Sequence, residues 1–454
     1  DFVKYQLAGD LYPNPNYDQL IASGFNRLHL IIDRGTALPE ESFTRNVIDR
    51  VTAVGTAFMG LTVQCAVCHD HKYDPITMRD FYQLFAFFNN LDADPETGGR
   101  QGSDFQRGLQ PPYVTLADDR QIAKLAEHDL RIKQLKTELQ RIEKQSKDTS
   151  DETQKKAVEE ELEKAKQALA KQEREQQAFE ATIPAAMVMK ERAELRPAHI
   201  LIRGAYDKPG EEVGRDSPAF LPPMKEMDGI KSRMDLAEWF VAAENPLTAR
   251  VAVNRWWQQL FGVGIVKTAE DFGARGDFPS HPDLLDHLAV SFVESGWNVK
   301  ALIKQIVMSE TYRQSSDATP DEFKNDPDNR LLSRGARFRL DSEVIRDQVL
   351  ATSGLLNYEL FGMSVKPPQP EGLWETVSMP SSYPRSYETD TGSKIYRRSV
   401  YTFWKRGMPP PQMTILNAPT REACIARRER TNTPLQALLL LNEPEYVKSS
   451  RHLA

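Results

Sequence analysis

Two of the three cysteines and two of the eight histidines of this 454-residue chain sit together in "LTVQCAVCHDHKYDP", residues 61–75. Cys65, Cys68 and His69 form a C-x-x-C-H pattern. In this spacing two thiols reach the two vinyl groups on one edge of a porphyrin, and the adjacent imidazole lies beneath the iron. The pattern therefore predicts one covalent haem c, with Cys65 and Cys68 as anchors and His69 as the proximal iron ligand. Two other chemistries use the same residue types. Structural zinc takes four ligands, commonly from two separated pairs, and Cys65, Cys68, His69 and His71 are too crowded for that geometry. A redox dithiol follows a strand and sits at a helix N-terminus, whereas a helical pattern runs into this motif.

The second axial position decides between electron transfer and chemistry on a bound molecule. Its candidates are His71, His199, His29, Met59, Met408 and Met413. His71 is too near His69 in sequence to reach the opposite haem face, so it reads as a pocket residue. His199, in an otherwise apolar segment, ranks first as a distal or pocket histidine, and Met408 in "RGMPPPQM" ranks second. "YRRSVYTFWKR" and "TREACIARRERTNTPLQ" concentrate arginine in an acidic chain. Guanidinium forks there, Arg428 and Arg430 among them, could hold haem propionates or an acidic substrate, or pair with nearby carboxylates. Cys424 reads as a small buried residue. Asp33, Glu40, Glu41 and Asp74 are candidate general bases near the iron.

The elements that must position these groups read mostly as helices. Val47, Val51, Val54 and Phe58 have helical spacing up to the cysteine pair. Thr77 with Asp80 predicts an N-cap for "TMRDFYQLFAFFNNL", whose Tyr82, Phe85, Phe88 and Leu91 form an aromatic stripe. "DADPETGGRQGS" reads as a loop. From residue 119 the pattern changes. Leu125, His128, Ile132, Leu135, Leu139 and Ile142, then Val158, Leu162, Ala165, Leu169, Gln172, Gln176 and Phe179, recur at three and four, with "KQSKDTSDET" between them. That predicts an antiparallel coiled-coil hairpin. "HILI" suggests a short strand, and the Pro- and Gly-rich stretch after Asp207 an extended linker. Further helices follow, with stop signals at Gly262, Gly296 and Gly354. "SKIYRRSVYTFWKRG" alternates as a strand would. The domains expected are a haem c domain at 1–118, the hairpin at 119–183, a strand and linker at 184–225, and a helical C-terminal domain at 226–454.

Composition bounds the function. The chain is 40% apolar and 27% charged, with a net charge of −7 and a pI near 5.8, which argues against a nucleic-acid partner. No apolar run is long enough to predict a membrane span. The opening "DFVKYQLAGD" shows no signal peptide and reads as a processed or incomplete N-terminus.

Longer stretches carry a family resemblance. "YQLAGDLYP", "VIDRVTAVGTAFMGLTVQCAVCHDHKYDPITMRDFYQLFAFFNN", "NPLTARVAVNRWWQQLFGVGIVKTAEDFG" and "RERTNTPLQALLLLNEPEYV" resemble exported planctomycete cytochrome-c-associated proteins. These pair a C-x-x-C-H-containing domain of unknown function with a C-terminal domain also of unknown function. The resemblance implies export to the periplasm, covalent haem at Cys65, Cys68 and His69, and a redox partner such as a cytochrome c domain. It hints at carbohydrate work.

Together these readings predict a mainly α protein: a helical haem c domain packed against a helical C-terminal domain, with an inserted coiled-coil hairpin and few short strands. The favoured function is a periplasmic haem c oxidoreductase acting on a small or carbohydrate substrate, with His71, His199 and Glu41 as candidate catalytic groups. One alternative is a non-catalytic electron-transfer or assembly subunit, its hairpin docking a protein partner. A weaker one is a carboxylate-based hydrolase with structural haem.

Overall fold

The structure, a computed structural model, describes residues 1–29, 38–93, 108–148, 152–226, 228–378 and 384–454. Asp33 and most of "DADPETGGRQGS" lie outside the described residues, as does part of the hairpin turn. The chain is mainly α, with two small two-stranded antiparallel sheets. It divides into two compact units: Arg100–Val188, and Asp1–Gly99 together with Met189–Ala454.

The first unit is the hairpin. Helices Asp119–Asp148 and Glu152–Glu180 pack along each other, and strands β1 (Tyr113–Thr115) and β2 (Ala185–Met187) pair beside them. Burial recurs at Leu125, His128, Ile132, Leu135, Leu139 and Ile142, the expected seam. His128 stacks on Phe179 with ring centroids 5.8 Å apart, and Lys136 reaches Glu173 at 3.2 Å.

The second unit holds two hydrophobic clusters. One joins N-terminal residues (Leu7, Val51, Phe58, Phe81, Phe87) to Leu236 and Phe240. The other is built from Trp257, Phe261, Leu288, Phe292 and Ile306. Thr77 and Asp80 form the capping box of helix Met78–Phe88. That helix buries Phe81, Leu84 and Phe87 as well as Tyr82, Phe85 and Phe88. An aromatic helix buried all round is core. Asn245 Oδ1 accepts N–H bonds from Leu247 and Thr248 just before helix Thr248–Phe261.

Three local expectations are corrected. The helix Pro39–Val54 does not reach the cysteines. It widens into a π turn at Gly55–Met59 and stops at Gly60, φ +62°. A Cβ on Gly60 would meet Phe272 and Val251 within 3 Å, so only glycine fits this close approach. The stretch after Asp207 is no free linker: Pro209–Val213 is strand β4, antiparallel to β3 (Ala198–Leu201). "SKIYRRSVYTFWKRG" is not a strand either. It forms 3₁₀ turns at Gly392–Tyr396 and Ser399–Tyr401 with isolated bridges. The buried Arg397 guanidinium donates to the carbonyls of Glu359, Phe361 and Met363, so a side chain satisfies carbonyls that a sheet would otherwise pair.

Candidate functional site

The motif begins on the 3₁₀ turn Val63–Val67, with Cys68 and His69 following its end. Three residues per turn place i and i+3 on one face. Val63, Ala66 and Val67 turn inward, while Cys65, Cys68 and His69 are exposed. Both thiols are free and exposed. Behind them, the Tyr82 hydroxyl donates to the Val67 carbonyl at 2.9 Å, tying the turn to the aromatic helix. Burial pushes the Tyr82 phenol well above its ordinary range, with the Cys68 thiol's charge adding to it and a backbone hydrogen bond opposing it. Gly204, φ +72°, closes the site on one side. A Cβ there would sit 2.8 Å from Cys68 Sγ.

His69 Nδ1 is 2.7 Å from the Asp70 carbonyl oxygen. A carbonyl only accepts, so Nδ1 carries the proton and Nε2 keeps its lone pair. The residues that follow are locked. His71 N–H donates to the Ile76 carbonyl, and Asp70 accepts from Met78 N–H at 2.7 Å. The His71 ring, its side chain only 4% exposed, accepts the Asp74 N–H at Nδ1 and bonds Thr62 Oγ1 through Nε2. Asp74 in turn accepts from Ala274 N–H at 2.6 Å. "HDHKYDP" is thus a clamp between the motif, the aromatic helix and the 273–275 turn. Both ring nitrogens of His71 are engaged in seating this turn.

The other sequence candidates disperse. His199, half-buried on β3, bonds the Gly210 carbonyl across the hairpin register. Met59 and Met413 are buried. Met408 closes a tight turn onto Lys405. Glu41 pairs with Arg45 within its own helix, and Glu40 reaches Arg196 at 3.9 Å. Arg428 and Arg430 are brought to Glu343 and Asp341. They line a cleft of about 590 Å³ shared with Trp257, Phe261 and Arg334, and none of the three motif residues lines it.

A second cavity, about 470 Å³, is lined by His29, Asp49, Trp404, Arg406, Arg421 and Cys424. Cys424 is exposed at its wall, not buried as expected. Burial raises the carboxyl pKa of Asp49 against the opposing charges of Arg406 and Arg50. Sequence reasoning missed Asp49, because an acid in mid-helix gives no signal. It also missed the arginines of "NRLLSRGARFRL", although four arginines in residues 330–339 were a signal to follow.

Fold and site together define a mainly α protein whose N-terminal part displays a C-x-x-C-H turn clamped against a helical C-terminal part. Residues 1–93 match the family described as PSCyt2, a protein of unknown function (DUF1549). Residues 232–454 match PSD1, a protein of unknown function (DUF1553). The chain carries this pair of domains, a pairing typical of planctomycete proteins. Comparison with curated proteins and with solved structures finds no match. No helix among the described residues is long and apolar enough to cross a membrane.

Proposed function

We propose that this is an exported c-type haem protein that exchanges electrons with a redox partner at its surface. Cys65 and Cys68 would hold the haem through thioether bonds, and His69 would ligate its iron. One observation carries the reading: two free thiols and an imidazole are all exposed within five positions, and the Asp70 carbonyl fixes the His69 tautomer that leaves Nε2 free. An outer-shell acceptor on the far nitrogen is what orients a metal-ligating histidine. When bound, such a group supplies one-electron chemistry at its iron. The chain's own part is to hold and orient it. Tyr82 and the His71–Asp74 clamp keep the turn from moving relative to the body. Exposure of all three residues, away from the two cavities above, supports exchange at the surface over catalysis in a pocket. Beside the motif, Lys72 and Arg275 flank the half-exposed Tyr73 ring at 5.2 and 5.1 Å, a cationic rim suited to an acidic partner.

The second reading, an oxidoreductase acting on a small or carbohydrate substrate, is favoured by one feature. Asp49 places a carboxyl of raised pKa in a cavity, where it could take or give a proton.

The test is production of the chain in a host that matures c-type cytochromes. Haem should stay attached in denaturing gels, give a c-type pyridine haemochrome, and be lost in Cys65→Ser/Cys68→Ser. A chain that matures without covalent haem overturns the proposal. A low-spin ferric spectrum supports electron exchange, and a high-spin one favours the second reading.

A further inference from the structure

The 590 Å³ cleft has an unbalanced charge. Four of its cations have carboxylate partners. Lys267 reaches Asp328 at 3.5 Å, Arg427 reaches Glu270 at 3.2 Å, Arg428 reaches Glu343 at 2.6 Å, and Arg430 reaches Asp341 at 3.6 Å. The three from the 330–337 loop have no carboxylate within ion-pair distance among the described residues. Arg330 donates to the carbonyls of Gly264 and Ile265. Arg334, 6% exposed, spends Nη2 on the carbonyls of Asp326 and Pro327, while its buried Nη1 has no hydrogen-bond partner. Arg337 is exposed at the same cleft. A buried guanidinium with a spare donor is costly, and the exposed Glu322 carboxylate feels its charge without pairing with it. The Arg334 guanidinium lies over the Phe323 ring at 4.5 Å, which orders it without neutralising it.

Aromatic side chains line the same cleft. Trp257 and Phe261 stack at 4.1 Å, and Phe338 lies under Arg430 at 4.7 Å. A cleft with a spare guanidinium donor and aromatic side chains in one lining matches an oxyanion carried on an apolar body. A monoester of phosphate or sulfate offers three free oxygens, enough for donors from more than one guanidinium. We infer that this cleft is a binding site for a small phosphate or sulfate monoester, its oxyanion held by Arg334 and Arg337 and its organic body against Trp257 and Phe338. None of this depends on haem, and the site is separate from the C-x-x-C-H turn.

Calorimetric titration of the full chain at constant ionic strength tests it, with phenyl phosphate, inorganic phosphate and inorganic sulfate as probes. Saturable binding is expected, tightest for phenyl phosphate. Arg337→Ala, at an exposed side chain, should leave the melting temperature unchanged and weaken binding by about tenfold or more. Arg334→Lys, which keeps the charge but not the fork, should weaken it similarly. Arg79→Ala, at a surface arginine paired with Glu211, should have no effect. The inference is overturned if none of the three probes binds saturably, or if Arg337→Ala and Arg334→Lys bind like the parent. An equal loss with Arg79→Ala also overturns it, by showing unspecific charge attraction. Inorganic phosphate binding as tightly as phenyl phosphate overturns the part assigned to the aromatic wall.

Discussion

In the hairpin, residues 119–180, apolar side chains recur every three or four positions and meet along one seam, while charges fill the solvated faces. In the loop-rich region from 357 to 432, short turns dominate, and buried arginines hold them by donating to backbone carbonyls. Arg346, on helix Ser342–Thr352, is 1% exposed and is the centre of that arrangement. Its guanidinium makes a two-pronged pair with Glu445 at 2.7 and 2.8 Å. It also donates to the carbonyls of Ile395 and Arg397 and to Ser399 Oγ. The hairpin spreads its stability over many equivalent contacts. The loop region concentrates it in a few polar residues, each satisfying several groups that would otherwise be orphaned.

That contrast can be broken or sharpened by substitution. The largest effect is expected at Arg346. Arg346→Met removes one half of a buried ion pair and leaves Glu445 uncompensated, so chemical denaturation should show a loss of about 3–5 kcal/mol. A loss under 1 kcal/mol would mean that the loops do not depend on this centre. Next comes Ile142→Asp at a buried seam position of the hairpin. It puts a charge where its partners are apolar and should cost about 2–4 kcal/mol of hairpin stability, read as lost helical circular dichroism. Unchanged helicity would show that the seam is not what holds the two helices.

The smallest effect is at Glu343. Burial raises its carboxyl pKa, but the Arg428 hydrogen bond and charge, with Ser342, outweigh that and leave it below its ordinary 4.5. A depressed folded pKa gives stability that is fully present above the ordinary carboxylate value and is lost as pH falls through the folded one. Urea midpoints should therefore fall below about pH 4.5. Glu343→Gln should flatten that part of the slope by at most about 1 kcal/mol, the pair being partly exposed. An unchanged slope would remove Glu343 from the acid sensitivity.

The hairpin was legible because a solvated two-helix seam must show its period in the sequence. The cap at Thr77 and the stops at Gly262 and Gly354 were legible for a similar reason, since backbone groups at helix ends need local partners or local freedom. The π turn before the motif was not, because its exposed carbonyls at Thr56 and Ala57 are satisfied by Arg255, about 200 residues away. Nor was the strand-like alternation of 393–407 a guide. Its alternate residues bury against loops, and Arg397 takes the place of a neighbouring strand.

At the candidate site the division is similar. Residue types and spacing alone determined that two thiols and an imidazole fall within five positions. The sequence also determined the mainly α class and the pairing of the two domains. Only the tertiary structure decided what surrounds them. It buried His71 and Asp74 as a clamp, sent Arg428 and Arg430 to Asp341 and Glu343, and left Arg334 with a spare donor beside an aromatic wall. The physical reason is range. Helix periods, caps and motif spacing act over a few residues of chain, whereas the partners of a buried charge are chosen by whichever distant backbone and side-chain groups packing brings within 3 Å or so.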